Sequence, residues 1–224
     1  LTLKVDTQAP ALSVTQTNAN ISGDGTISAT ERDAGVQLSG TSEIGARIKI
    51  STGNGTPIEV ITGSDGRWTA TVPKDNLPTT GAVNFTVTAS DTAGNQSTSQ
   101  TITATVDTQA PAKPATPAGY KDDVGSVQSE ASTASITDDT KPGLKLTTTL
   151  GAGEKAKLYV NGSAVNATYD AQTGTLTPDV ALDPGTYTLS YSVSDAAGNE
   201  SDKSDPLTLK VDTQAPALSV TQTN

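Results

Sequence analysis

The sequence predicts an all-β chain: two tandem β-sandwich domains arranged end to end. A long internal repeat, a composition suited to strands and turns, and short alternating segments between turn signals carry that expectation. Leu1 to Asn18 reads LTLKVDTQAPALSVTQTN, and the same 18-residue string returns at Leu207 to Asn224, 206 residues later. A partial copy, TVDTQAPA, lies between them at Thr105 to Ala112. The three VDTQAP segments put Asp6, Asp107 and Asp212 in register, 101 and 105 residues apart. That period is the size of one sandwich domain, about 100 residues. The expected division is 1–106 for the first domain, 107–211 for the second and 212–224 for the start of the next repeat. The whole then reads as a double repeat cut from a longer tandem array.

Of the 224 residues, 39 are Thr, 20 Gly and 12 Pro, and aromatics make up only 3%. β-branched side chains suit strands, and Gly and Pro suit turns, so the composition argues against packed helices. In the first domain strands are expected near 11–16, 35–40, 46–51, 57–62, 67–72, 82–90 and 99–106. Ala46-Arg-Ile-Lys-Ile-Ser51 and Val83-Asn-Phe-Thr-Val-Thr88 alternate with the period of two that one buried face requires. Trp68, the only Trp, takes an inward position in such a strand and reads as core. Gly63-Ser-Asp-Gly66 has the composition of a hairpin turn. The second domain repeats the scheme near 142–149, 155–161, 163–169, 175–180, 186–194 and 205–211, with Leu158, Val160, Tyr187, Leu189, Tyr191 and Val193 pointing inward. With so few aromatics each core is modest, so an additional stabilising element is expected.

Absences narrow the chemistry. No Cys and no His leave no thiol nucleophile, no Ser-His-Asp triad and no imidazole or thiolate metal site. The net charge is −10, and the 14 Lys and Arg are scattered, which excludes a nucleic-acid surface. No apolar run reaches the roughly 20 residues that span a bilayer, so no membrane insertion is expected. Oxygen donors remain in quantity, and the hard cation they suit best is Ca2+.

Three groups of residues are candidate calcium ligands. Asn20-Ile-Ser-Gly-Asp-Gly-Thr-Ile-Ser-Ala-Thr-Glu31 follows the spacing of a twelve-residue calcium loop. Asn20, Ser22 and Asp24 stand at positions 1, 3 and 5, Gly25 at the tight turn, Thr26 at 7 and Glu31 at the bidentate position 12. Asp is preferred at 1 and 3, and the bland alternative is a loop in which Asp24-Gly25 simply turns the chain. In the second domain the corresponding stretch carries Asp122-Asp123-Val-Gly125 and Thr137-Asp138-Asp139-Thr140. Pairs of adjacent carboxylates repel and favour a bound cation, or else remain solvated loop charge. Asp91-Thr-Ala-Gly-Asn95 and Asp195-Ala-Ala-Gly-Asn199, 104 residues apart, sit before the last strand of each domain. Asp91 and Asn95 are expected beside Asp6, and Asp195 and Asn199 beside Asp107. The alternative for these loops is an Asx-turn with no ligand role.

The combination of VDTQAP at each junction, Asp-x-Ala-Gly-Asn, Asp-Asp-Val-Gly and Thr-Asp-Asp-Thr-Lys-Pro resembles the bacterial immunoglobulin-like repeats of giant surface adhesins, the biofilm-associated and RTX types. The resemblance covers the whole chain. It implies an immunoglobulin-like fold for each domain and a secreted, cell-surface, calcium-stiffened stalk. Such a stalk supports adhesion and biofilm formation and carries a distal adhesive domain beyond this chain. The expected partners are neighbouring repeats of the same chain, in a monomer. Two other functions compete. A loop-mediated binding module for a glycan or host protein is the alternative; carbohydrate sites usually present aromatic platforms beside polar groups, and Trp68 is assigned to the core. An enzyme would need a named acid, base and cleft, and the Asp pairs are adjacent at domain ends instead.

Overall fold

The computed structural model describes residues 5–215, and the chain divides into two compact units between Gln109 and Ala110. The repeat segment at 216–224 lies outside the described residues.

In the first unit the strands are β1 (Leu12–Val14), β2 (Thr26–Ile27), β3 (Val36–Ser42), β4 (Arg47–Ser51), β5 (Ile58–Ile61), β6 (Arg67–Val72), β7 (Thr80–Ser90) and β8 (Gln100–Asp107). They form a three-stranded sheet, β1-β3-β6, and a five-stranded one, β2-β8-β7-β4-β5. Period-two burial joins the two inner faces. Leu38, Trp68, Ala70 and Val72 from the smaller sheet share a core with Ile48, Ile50, Phe85, Val87 and Ile102 from the larger. Trp68 is 2% exposed, as a core residue should be. Gly40 makes the close approach possible: a Cβ there would lie 1.9 Å from the Ser13 carbonyl oxygen and 2.8 Å from the Trp68 ring. The Gly63–Gly66 turn is closed by Gly66 N donating to Gly63 O at 3.0 Å. It carries the chain from one sheet to the other rather than joining paired neighbours, since β5 and β6 belong to different sheets.

One helix departs from the all-strand expectation. α1 (Ala29–Ala34) is capped by Ser28, whose side chain accepts from Glu31 N, while Glu31 reaches back to the Ser28 backbone N–H. Gly35, at φ 84°, ends it. A capping box satisfies the orphan donors of the first turn, which lets a short polar segment form a helix that composition alone disfavours.

In the second unit the strands are β9 (Gly119–Asp122), β10 (Ser129–Ser132), β11 (Ile136–Thr137), β12 (Gly143–Lys145), β13 (Lys155–Val160), β14 (Ser163–Val165), β15 (Ala167–Asp170), β16 (Thr175–Pro178), β17 (Gly185–Ser194) and β18 (Leu207–Val211). Two five-stranded sheets, β10-β9-β12-β16-β15 and β11-β18-β17-β13-β14, enclose Tyr120, Leu144, Leu158, Leu176, Leu189, Tyr191 and Leu209. β9, β10 and β11 fall in a stretch expected to be loop, and 163–169 is two strands belonging to different sheets. The expected strand at 142–149 shrinks to three residues. On β17 even Ser190 and Ser192 are buried. The segment after the Asp195–Asn199 loop runs on beside β17, with Ser201 N and Ser204 N donating to Val193 O and Tyr191 O at 2.9 and 2.8 Å.

Each unit closes in the same way. A two-residue strand runs parallel to the last strand: β2 beside Thr105–Val106, and β11 beside Lys210–Val211.

Candidate metal sites

The second unit gathers its acidic residues around Thr137. Asp122 ends β9 and Asp138 and Asp139 follow β11, so the two motifs meet where these strands finish. Thr137 Oγ1 donates to Asp122 Oδ2 at 2.7 Å and accepts from Asp139 N at 3.0 Å. Val124 N donates to Asp122 Oδ1 at 3.3 Å and Lys141 N to Asp139 Oδ1 at 2.7 Å. Gly125 lets Asp138 close over the loop, because a Cβ at that position would meet Asp138 Oδ2 at 2.1 Å. Asp122 and Asp139 are 6% and 4% exposed. Burial pushes the Asp139 carboxyl above the usual carboxylate range; the Lys141 amide opposes this, and the charges of Asp123, Asp122 and Asp138 add to it. Asp123 itself pairs with Lys121 at 3.2 Å.

Asp212 leaves the unit next to this cluster: its N–H donates to Thr137 O at 2.8 Å. Its carboxylate is held below its ordinary pKa, chiefly by Lys210 at 2.7 Å and then by the Gln214 N–H. The same Asx-turn recurs at all three VDTQAP segments. Gln8, Gln109 and Gln214 each donate their N–H to Oδ1 of Asp6, Asp107 and Asp212, at 3.1, 3.0 and 3.2 Å.

The Asp-x-Ala-Gly-Asn loops are closed by their own first residue. Asp91 accepts from Asn95 N and Asn95 Nδ2 at 2.9 and 2.7 Å, and Asp195 accepts from Asn199 N and Asn199 Nδ2 at 2.9 and 3.0 Å. The Asn95 side-chain bond holds the Asp91 carboxyl below its usual range. Asn95 Nδ2 also donates to Asp6 O at 3.1 Å. The loop thus meets the incoming segment through an amide and a main-chain carbonyl.

The Asn20–Glu31 segment is not one continuous ligand loop. It is a 3-10 turn (Ile21–Gly23), then β2, then the start of α1. Asn20 Oδ1 accepts from Thr17 N at 2.6 Å and Asp24 Oδ1 from Thr26 N at 2.9 Å, while Ser22 sits at φ 55° inside the turn. Gly25 turns the chain at φ 89°, where a Cβ would lie 2.4 Å from Asn18 O. Glu31, expected at the bidentate position, stands in the first turn of α1, where its Oε2 accepts from both Ser28 N and Ser28 Oγ at 2.9 Å and caps the helix.

The donor chemistry therefore fits a hard cation best where the buried Asp122 and Asp139 lie near the exposed Asp138. The fit is incomplete, since among the described residues no group of three or more acidic side chains is placed to hold a metal ion. Lys210 falls in the repeated 18-residue string and Thr137 heads the Thr-Asp-Asp-Thr segment, whereas Lys121, beside them, carries no repeat signal.

The bacterial Ig-like domain family matches residues 7–108 and 114–213. Among curated proteins nothing matches. A solved Ca2+-stabilized adhesin that helps an Antarctic bacterium reach out and bind ice is 26% identical, with a TM-score of 0.51 over 94% of this chain and 51% of that one. A second solved structure, from a 1.5-MDa bacterial ice-binding adhesin, is 22% identical, with a TM-score of 0.48 over 91% and 65%. A single Ig-like domain of the M. primoryensis ice-binding adhesin is 29% identical, with a TM-score of 0.33 over 45% and 100%. The chain spans about half the length of the first of these. It is a member of the bacterial Ig-like domain family, with two copies in tandem.

Proposed function

We propose that the chain is a structural extender module of a secreted bacterial surface adhesin, stiffened by calcium and supporting adhesion and biofilm formation. The observation that carries the calcium part is Asp139. A carboxylate 4% exposed beside Asp122, Asp123 and Asp138 is costly to keep ionised unless a cation shares the site. The buried Asp122 and Asp139 would hold the ion, with hydroxyl and main-chain oxygens completing the six to eight ligands calcium takes. Bound there, calcium supplies the positive charge that the cluster lacks. The likeness to a Ca2+-stabilized adhesin supports this reading.

The junction part of the proposal rests on the sequence repeat. Asp6, Asp107 and Asp212 recur at each VDTQAP, and the Asp91–Asn95 and Asp195–Asn199 loops recur with them. The domain limits 1–106, 107–211 and 212–224 follow the same repeat. Tandem near-copies suit a spacer, and each Asp-x-Ala-Gly-Asn loop is pre-shaped by its own Asp–Asn hydrogen bonds.

Thermal unfolding in EDTA, with calcium or magnesium added back, tests the proposal. The melting temperature is expected to fall in chelator and to recover with calcium far more than with magnesium, which prefers strict octahedral sites. An unchanged melt removes calcium from the proposal. Small-angle scattering tests stiffening separately: the spread of distances should widen in EDTA, and identical distributions would leave any ion a role in domain stability alone.

A further inference from the structure

The second unit carries a polar cleft on the outer face of its β10-β9-β12-β16-β15 sheet, which shares only Asp139 and the neighbouring Asp123 with the carboxylate cluster described above. Strand register lays a row of side chains across four strands. Lys121 on β9 stands opposite Gly143 on β12, and Thr177 on β16 opposite Thr168 on β15. Gly143 is the gap in that row: a Cβ there would lie 2.9 Å from Thr177 Oγ1 and 3.5 Å from Lys121 Cβ. The missing side chain leaves a trough floored by backbone, and a cavity of about 310 Å³ opens over it.

The cleft is built and held in place. Asp139, 4% exposed, lines it; one carboxylate oxygen is fixed by the Lys141 amide, and the other has no hydrogen bond from the described residues. Asp170 is fixed by Gln172 N at 2.8 Å and Thr173 Oγ1 at 2.8 Å. Lys141 Nζ is anchored on Asp179 O at 2.7 Å. Groups immobilised beforehand lose little freedom when a ligand arrives.

The mixture of charges selects the ligand class. Three carboxylates, from Asp123, Asp139 and Asp170, disfavour an anion. Two ammonium groups, from Lys121 and Lys141, disfavour a bare cation in the trough. A hydroxyl group can donate to a carboxylate and accept from an ammonium or a Thr hydroxyl, so a ligand dense in hydroxyls satisfies both kinds of wall. The volume sits at the small end of ligand pockets, roughly 300–1,000 Å³, and suits one ring. We propose that this cleft binds a single ring of a neutral, hydroxyl-rich saccharide, free or within a glycan. With no aromatic platform the binding is polar and weak, with a dissociation constant of roughly millimolar order.

Amide chemical-shift titration of the full chain tests this, with glucose, galactose, mannose and cellobiose as probes, in EDTA. Saturable shifts are expected at residues 121–123, 141–143, 168–170 and 175–177. A response to the monosaccharides shows that a free ring suffices, and a response to cellobiose alone places the ring within a glycan. Gly143→Val fills the trough and should abolish the shifts. Thr177→Val keeps the shape of its side chain, guards against misfolding of the first variant, and should weaken binding several-fold. The proposal is overturned if no sugar shifts these amides or if the shifts persist in both folded variants. Asp139 also serves the calcium reading, so the titration is run in chelator, where no cation competes for it; a failure there leaves the calcium-dependent melt untouched, and an unchanged melt leaves the sugar titration untouched.

Discussion

Replacing Asp139 by Asn separates the two states of the carboxylate cluster with opposite signs. Asn keeps an oxygen for the Lys141 amide, which now donates to Asp139 at 2.7 Å, and removes one charge from beside Asp122, Asp123 and Asp138. Asp139's folded pKa is raised above its ordinary 3.8, mainly by burial and further by those three charges. The folded chain therefore binds that proton more tightly than the unfolded chain. The resulting contribution to stability is present below the unfolded pKa and is lost as pH rises through the folded one. At neutral pH in EDTA the ionised carboxylate is a cost, and Asp139→Asn should raise the melting temperature of the second unit. In calcium the order reverses. A ligand at a hundredfold excess over its dissociation constant stabilises by about 2.7 kcal/mol. At ~4–8 °C per kcal/mol for a domain of this size, the wild-type unit should gain roughly 10–20 °C on calcium addition. The variant should gain little. Calorimetry in both buffers reads the two signs, resolving the units because two domains need not melt together. A variant less stable than wild type in EDTA, or one with an undiminished calcium gain, would refute the reasoning.

Gly40→Ala forces a Cβ to within 1.9 Å of Ser13 O, so β1 or Trp68 must move; urea unfolding should show a loss of about 1–3 kcal/mol in the first unit, and no loss would mean β1 shifts freely. Glu31→Ala should cost about 1 kcal/mol through the lost capping box, equally in calcium and in EDTA; a cost seen only in calcium would make Glu31 a ligand. Glu200 accepts from Ser192 Oγ, Tyr159 OH and Lys157 Nζ, and these hold its pKa below 4.5. The stability it contributes is present above pH 4.5 and lost as pH falls through the lowered value. Glu200→Gln should flatten that acid limb and cost about 1–2 kcal/mol at neutral pH, and an unchanged acid limb would show that the three donors do not act on the ionised form.

The first unit was legible because its strands alternate cleanly. Arg67–Val72 shows the burial of every second residue that its sequence announces, and all seven expected strands appear within a few residues of their reading. The opening of the second unit was not, for a physical reason. β9 carries one large apolar residue, Tyr120, β10 reads Ser-Glu-Ala-Ser, and β11 is two residues long. β10 and β11 are fixed by pairing to neighbours, and β9 buries Tyr120 alone among large apolar side chains, so hydrophobic period has nothing to report. α1 was hidden by composition although Ser28-x-x-Glu31 is a capping-box signature. The candidate ligands were visible as motifs, but only register shows that Thr137 draws Asp122 and Asp139 together. Glu31 fits a ligand spacing and a cap equally well, and Ser28, three residues before it, is what engages its carboxylate in the structure.

The parallel closing strands put these differences in one frame. Ile27 pairs with Val106, and Thr137 pairs with Val211, the equivalent residue of the VDTQAP repeat. One residue beyond, Ser28 in the first unit therefore corresponds to Asp138 in the second, and Glu31 corresponds to Lys141. At this position the first unit satisfies its donors internally: a hydroxyl caps α1, and the Glu31 carboxylate accepts from the Ser28 backbone and hydroxyl. The second unit places two carboxylates there instead, with one amide, from Lys141, to share between them and Asp122 nearby. The same strand register thus delivers a self-sufficient cap in one repeat and a charge deficit in the other. Dependence on a cation should for that reason be concentrated in the second unit, where the fold alone does not balance the charges it has brought together.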